Sequence, residues 1–145
     1  MSLYLLGADH AGFRLKEQVR HLLEKRGIAY QDLSHDVVEG DDYVPIAERV
    51  AKHLSPSSEA MGILVCGSGF GMAIAANRFR EARAVVVRSA EEARLAREHN
   101  HANILVLGEQ FTNARHMEQI FDAWVEARPS YAARHVRRVH QLSRL

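Results

Sequence analysis

Short apolar runs that alternate with stretches of helical spacing constrain this chain more than any other feature. Leu3-Tyr4-Leu5-Leu6, Met61-Gly62-Ile63-Leu64-Val65-Cys66, Ala84-Val85-Val86-Val87 and Ile104-Leu105-Val106-Leu107 are each continuously apolar, as strands buried on both faces are. Residues 28–33 read as a further strand. Between these runs the apolar positions follow helical spacing. Phe13, Leu15, Val19, Leu22 and Leu23 precede Gly27, a helix is expected over residues 45–54 with Pro45 in its first turn, and an Ala-rich helix follows Gly71. Residues 90–98 predict the next helix. Met117, Ile120, Phe121, Trp124 and Val125 predict another, starting near Thr112, and beyond Pro129 a last helix carries Val136, Val139 and Leu142. Five strands alternating with helices imply a parallel sheet with right-handed crossovers, a doubly wound α/β sandwich closed by a C-terminal helix. At 145 residues, without an internal repeat, low-complexity tract or linker, residues 1–145 are expected to form one domain.

Composition narrows the function classes. The formal net charge is +1, so nucleic acid and membrane surfaces are not expected partners. No apolar run approaches the ~20 residues that span a bilayer, and the first residues lack a basic leader, so a cytoplasmic protein is expected. Its one cysteine, Cys66, has no partner for an internal disulfide, which suits a reducing compartment and leaves the thiol either inert packing or reactive.

In open α/β sheets ligands bind outside the carboxyl ends of the strands. That rule selects Asp9-His10, residues 66–71, Arg88-Ser89 and the segment from Gly108 onward. Cys66 ends a buried strand before Gly67-Ser68-Gly69-Phe70-Gly71, so backbone N–H groups at a helix start surround its sulfur and favour a thiolate, able to act as base or nucleophile. The same loop lets backbone approach an anion and stabilise negative charge on an oxygen. It is not a P-loop, since no lysine follows, and it is G-x-G-x-G after the third strand instead of G-x-G-x-x-G after the first. Nucleoside triphosphate hydrolysis and dinucleotide binding are thereby disfavoured. So is a cysteine phosphatase, whose arginine would stand where Met72 is.

Asp9 and His10 face the same edge as Cys66, with helix capping the alternative role for Asp9. His99-Asn100-His101 precedes the fifth strand and offers an acid or base beside a hydroxyl-binding amide. Its His-x-His pair lacks the further ligands of a metal centre, so no metal is expected. Arg134 and Arg138 share one face of the last helix with Arg137 nearby, suited either to a phosphate or to a solvated basic face. Because that helix is amphipathic and terminal, it is expected to dock on a second subunit and deliver its arginines there.

Taken together, residues 7–13, Asp42-Tyr43, residues 66–71, Ala75-Ala76-Asn77-Arg78, Arg97-Glu98-His99-Asn100 and Arg134-His135 resemble the ribose 5-phosphate isomerase B family over nearly the whole chain. The resemblance implies a Rossmann-like fold, homodimers or homotetramers with shared active sites, no cofactor, and aldose–ketose isomerisation of a sugar phosphate in the pentose phosphate pathway. By it, Cys66 matches the base that moves a proton between C1 and C2, Ser68 and the amides of Gly67, Gly69 and Gly71 match the groups that stabilise the enediolate, and His99 matches the residue that assists ring opening. Asp9, Tyr43 and Asn100 match sugar contacts, and His10, Arg134 and Arg138 match phosphate contacts, partly from across a subunit interface. The chain departs from the family at Gln110, where many members have arginine, and at Val44, where proline usually follows the tyrosine. Two other readings stay open, an isomerase of allose or galactose 6-phosphate and a non-catalytic module that binds a sugar phosphate.

Overall fold

The computed structural model describes residues 2–145. Its elements are β1 (Tyr4–Ala8), α1 (Phe13–Lys25), β2 (Tyr30–Asp32), α2 (Tyr43–Lys52), β3 (Met61–Cys66), α3 (Phe70–Ala76), β4 (Ala84–Val86), α4 (Ala90–Asn100), β5 (Ile104–Gly108), a 3-10 turn (Glu109–Phe111), α5 (Ala114–Glu126) and α6 (Ala133–Ser143). The five strands form one parallel sheet in the order β2-β1-β3-β5-β4, the expected architecture. No helix of the described residues is long and apolar enough to cross a membrane.

Alternation along the central strands explains why they are apolar throughout. Leu6, Ile63, Val65, Leu105 and Leu107 pack beneath α1, α4 and α5. Their neighbours Leu5, Leu64, Ile104 and Val106 pack on the other face against Ile46 and Val50 of α2 and Met72 of α3. Each strand thus buries both faces, and each fully buried leucine or isoleucine contributes roughly 1.5–3 kcal/mol.

The edge strand β2 is only three residues long, shorter than the expected 28–33; its Gln31 is exposed and its Asp32 faces a charged partner. Asp32 is buried and accepts from Lys16 Nζ at 2.6 Å. Lys16 is itself fully buried on α1 and also donates to Glu17 and to the Ser34 carbonyl. Lys16→Met would leave the Asp32 carboxylate without its main cation, so about 3 kcal/mol of stability should be lost, with much of it restored in Lys16→Met/Asp32→Leu. Urea unfolding of the single and double variants checks this, and additive losses would overturn it.

Register decides what can meet what. Val65 pairs with Ala8 and Cys66 with Gly108, so the ends of β1, β3 and β5 lie side by side. The start of β5 pairs with Gly62, so the end of α4 lies at the opposite edge, roughly 15–20 Å away along strands of five or six residues.

Candidate active site

The carboxyl edge of the sheet brings four of the expected segments together. Cys66 is 5% exposed at the end of β3, and its Sγ accepts from the Gly69 N–H at 3.2 Å. Gly69 starts α3 with φ +86°, a left-handed conformation that a side chain would strain. That conformation turns its amide back towards the sulfur. Ser68 Oγ accepts from the Phe70 N–H at 3.2 Å, so the hydroxyl sits at the mouth of the same loop. The donors around the sulfur are those that stabilise negative charge on it or on an oxygen beside it.

Tyr43 opens α2 and lies over this loop. A Cβ at Gly71 would stand 2.3 Å from Tyr43 Cζ, so only glycine lets the ring reach that place. The expected start of α2 at Pro45 is two residues late, because Pro45 tolerates the third helical position and Tyr43 opens the helix. Val44 after Tyr43 therefore does not keep the ring from the site. Gln110, in the turn after β5, donates its backbone N–H to the Gly67 carbonyl at 3.0 Å and lays its side-chain amide against Gly67.

Asp9 is buried beside the end of β3, and its Oδ1 accepts from the Gly12 N–H at 3.0 Å. That bond closes the turn before α1, whose N-cap is Gly12 and has no side-chain cap. Burial holds the Asp9 carboxyl above the ordinary value, against the Gly12 hydrogen bond and the charge of His10. His10 is exposed and pairs through Nδ1 with Asp41 Oδ1 at 2.9 Å, which raises it above the ordinary histidine value. The ligand-type atoms of Asp9, His10 and Asp41 lie within 4.8 Å of one another, a closeness that the hydrogen bonds to Gly12 and His10 already explain.

The remaining expected residues lie elsewhere. His99 and Asn100 end α4 at the opposite edge, and His99 stacks on His135 of α6 with ring centroids 4.4 Å apart. Desolvation, then the charge of Arg134, holds His135 below the ordinary histidine value. His101 bonds through Nε2 to the Ser130 carbonyl at 2.7 Å. Ser130 N–H donates to the Glu98 carbonyl, and this strap fixes α6 against α4. On α6 the exposed Arg134 and Arg138 make no ion pair among the described residues. The candidate residues of one chain therefore fall into two groups on opposite edges. The first has Cys66, the glycine loop, Asp9, His10 and Tyr43; the second has His99, Asn100, Arg134 and Arg138.

Two features were not anticipated from sequence. Asp41 as the partner of His10 comes from a loop whose path no local pattern fixes. Phe70, Ile74 and Phe111 form an apolar patch around the glycine loop, 51%, 66% and 50% exposed, with the two phenylalanine rings 6.4 Å apart. Ile74 four residues after Phe70, on a helix already covered by Met72 and Ala76, was the available signal.

Residues 4–142 match the family model described as Ribose/Galactose Isomerase. The chain is 36% identical over 143 residues to ribose-5-phosphate isomerase B of Escherichia coli K12, covering 99% of this chain and 95% of that one. A crystal structure of a ribose 5-phosphate isomerase from Thermotoga maritima superposes with a TM-score of 0.93 at 38% identity, covering 99% of both chains. Ribose-5-phosphate isomerase B from Mycoplasma genitalium, solved with bound ribulose-5-phosphate, superposes with a TM-score of 0.88 at 31% identity, covering 98% of this chain and 94% of that one. By sequence along nearly its whole length and by fold, the chain belongs to the ribose/galactose isomerase family.

Proposed function

We propose that this protein interconverts ribose 5-phosphate and ribulose 5-phosphate, with Cys66 as the base. The observation that carries the reading is a sulfur at the end of a buried strand, bonded to the Gly69 N–H and beside a glycine loop built to hold an anion. Full-length similarity to ribose-5-phosphate isomerase B, including one relative solved with ribulose-5-phosphate, supports the substrate.

In the forward direction the Cys66 thiolate takes the C2 proton of the open-chain aldose. The C–H electron pair forms the C1–C2 double bond, and the carbonyl pair moves onto O1. Ser68 and the loop amides hold that oxyanion. The O2 hydroxyl proton passes to O1, C2 becomes the carbonyl carbon, and the thiol returns its proton to C1. Asp9 and Tyr43 hold the sugar, and His10 meets the phosphate.

The second half-site completes the reaction from another copy of the chain. His99 of a second subunit assists ring opening, Asn100 binds a hydroxyl, and Arg134 and Arg138 bind the phosphate. Two observations support that reading: the arginines lack ion-pair partners within the described residues, and an exposed apolar patch borders the glycine loop. A dimer that pairs the carboxyl edge of one chain with the α4–α6 edge of the other covers that patch and assembles two sites.

A panel of pentose 5-phosphates and hexose 6-phosphates, assayed for aldose–ketose interconversion with chelator present, tests the reading. Ribose 5-phosphate should be turned over with the highest kcat/KM. Preference for allose or galactose 6-phosphate would overturn the pentose assignment, and failure to exchange solvent deuterium into any sugar phosphate would make the protein a binding module.

A further inference from the structure

The loop between β2 and α2 carries an acidic residue whose position is tied to His10 twice over. Asp41 Oδ1 accepts from the backbone N–H of His10 at 2.8 Å and bonds its Nδ1 at 2.9 Å. One carboxylate oxygen thus fixes both the main chain and the ring of the same residue. With a proton on Nδ1 directed at Asp41, the ring atom left for any ligand is Nε2. His10 itself is exposed, while Ala11 approaches Gly67 of the glycine loop, so a group bound at Nε2 lies beside the half-site of Cys66.

We propose that Asp41 is a positioning residue for the phosphate of the substrate: it holds the main chain and the ring of His10 so that Nε2–H is presented to the phosphate. The inference rests on the phosphate contact of His10 proposed above.

The charged groups facing His10 are all acidic. Asp9 stands at the end of β1, and Glu39 and Asp41 lie on the β2–α2 loop. The hydrogen bond to Asp41 is the largest influence raising His10 above its ordinary 6.5; partial desolvation opposes it, and the charges of Asp9, Asp41 and Glu39 add to it. This matters because a phosphate monoester, with a second ionisation near ~6, is mostly dianionic at neutral pH, where an unperturbed imidazole is mostly uncharged. A raised value keeps the cation present below it and loses the cation only as pH rises through it. Phosphate affinity should therefore persist to higher pH than an unperturbed imidazole would allow, and fall beyond that.

Asp41→Asn separates charge from tether, since the amide oxygen still accepts from the His10 N–H but carries no charge. In the variant the midpoint of the His10 ring titration, followed by NMR, should move down. KM for ribose 5-phosphate should begin to rise at a lower pH than in the parent, with kcat changed little and KM parent-like in acid, where both rings are charged. Asp41→Glu should recover part of the shift, an effect that loss of loop structure alone would not give.

Titrating the parent with and without ribose 5-phosphate keeps the two claims apart. A His10 midpoint that the sugar phosphate does not raise, while the protein still turns it over, overturns the phosphate contact and the proposal with it. A midpoint that the sugar phosphate raises but that is the same in Asp41→Asn overturns the part given to Asp41 and leaves His10 as a phosphate contact.

Discussion

Cys66→Ala is expected to lower turnover by roughly 10²–10⁴-fold, the usual loss when a positioned base is removed, while sugar phosphate still binds and the fold melts close to the parent temperature. The separation follows from where the residue sits. Its Cβ belongs to the core formed with Met72 and Val106, and alanine keeps that carbon. The sulfur is what alanine lacks, and with it the acceptor of the Gly69 N–H. That amide is buried, but the bond it loses is to sulfur, a weak acceptor, and the cavity left is small, so the stability cost is modest. The proposed phosphate contacts, His10, Arg134 and Arg138, are elsewhere, so binding of the product or of inorganic phosphate should survive. Iodoacetamide should inactivate the parent, with protection by ribose 5-phosphate. Near-parent turnover in folded Cys66→Ala would overturn the assignment of the base, and Asp9, buried beside the end of β3 with its carboxyl held above the ordinary value, would be the first group to test instead.

The fold was legible because its central strands bury both faces, which leaves no polar position to break the apolar runs. Where a strand lies at an edge the signal weakened, and β2 proved three residues long with Asp32 serving Lys16. No periodicity announces a buried lysine. Its partner is fifteen or more residues away, and pairing across that distance is set by tertiary structure. Helix starts were less clear for a similar reason. Pro45 was a sound marker of a first turn, but Tyr43 and Val44 precede it in the same helix because proline is tolerated anywhere its missing N–H would be unbonded.

The group of candidates around Cys66 was legible as chemistry because its parts all follow strands at one edge. Cys66, Gly67, Ser68, Gly69 and Asp9 could be placed by counting strands alone, and Gly71 found a specific reason in the ring of Tyr43. His99 and Asn100 stand out by residue type and resemblance, yet counting elements puts them at the other edge, because a helix returning between parallel strands ends where the next strand begins. The sequence pattern of one chain says nothing about which edge meets which in an assembly. Asp41 was missed because the loop from 33 to 42 has neither strand nor helix to orient it, and its meaning appears only when its oxygen is seen against His10.

The proposed division of the site between two edges makes the strongest test of the assembly a mixing experiment. Cys66→Ala and Arg134→Ala, each alone, should be nearly inactive at limiting substrate: the first lacks the base, and the second loses a charge-assisted phosphate contact of about 1.5–3 kcal/mol, felt mainly in KM. Every site in either homodimer carries its own defect. In a mixed dimer one site takes Cys66 from the Arg134→Ala chain and Arg134 from the Cys66→Ala chain, so it is intact, while the other site carries both substitutions. Random reassortment after mild denaturation and refolding makes half of the dimers mixed, so about a quarter of all sites should recover parent activity. Measured at low ribose 5-phosphate, kcat/KM of the refolded mixture should exceed the sum of the two variants refolded separately. A mixture that never exceeds that sum, although tagged chains show that mixed dimers formed, would mean that Cys66 and Arg134 serve the same subunit's site. The roughly 15–20 Å of strand between the two edges argues against that outcome, since no single sugar phosphate, with six or seven bonds from C1 to phosphate, reaches both edges of one sheet.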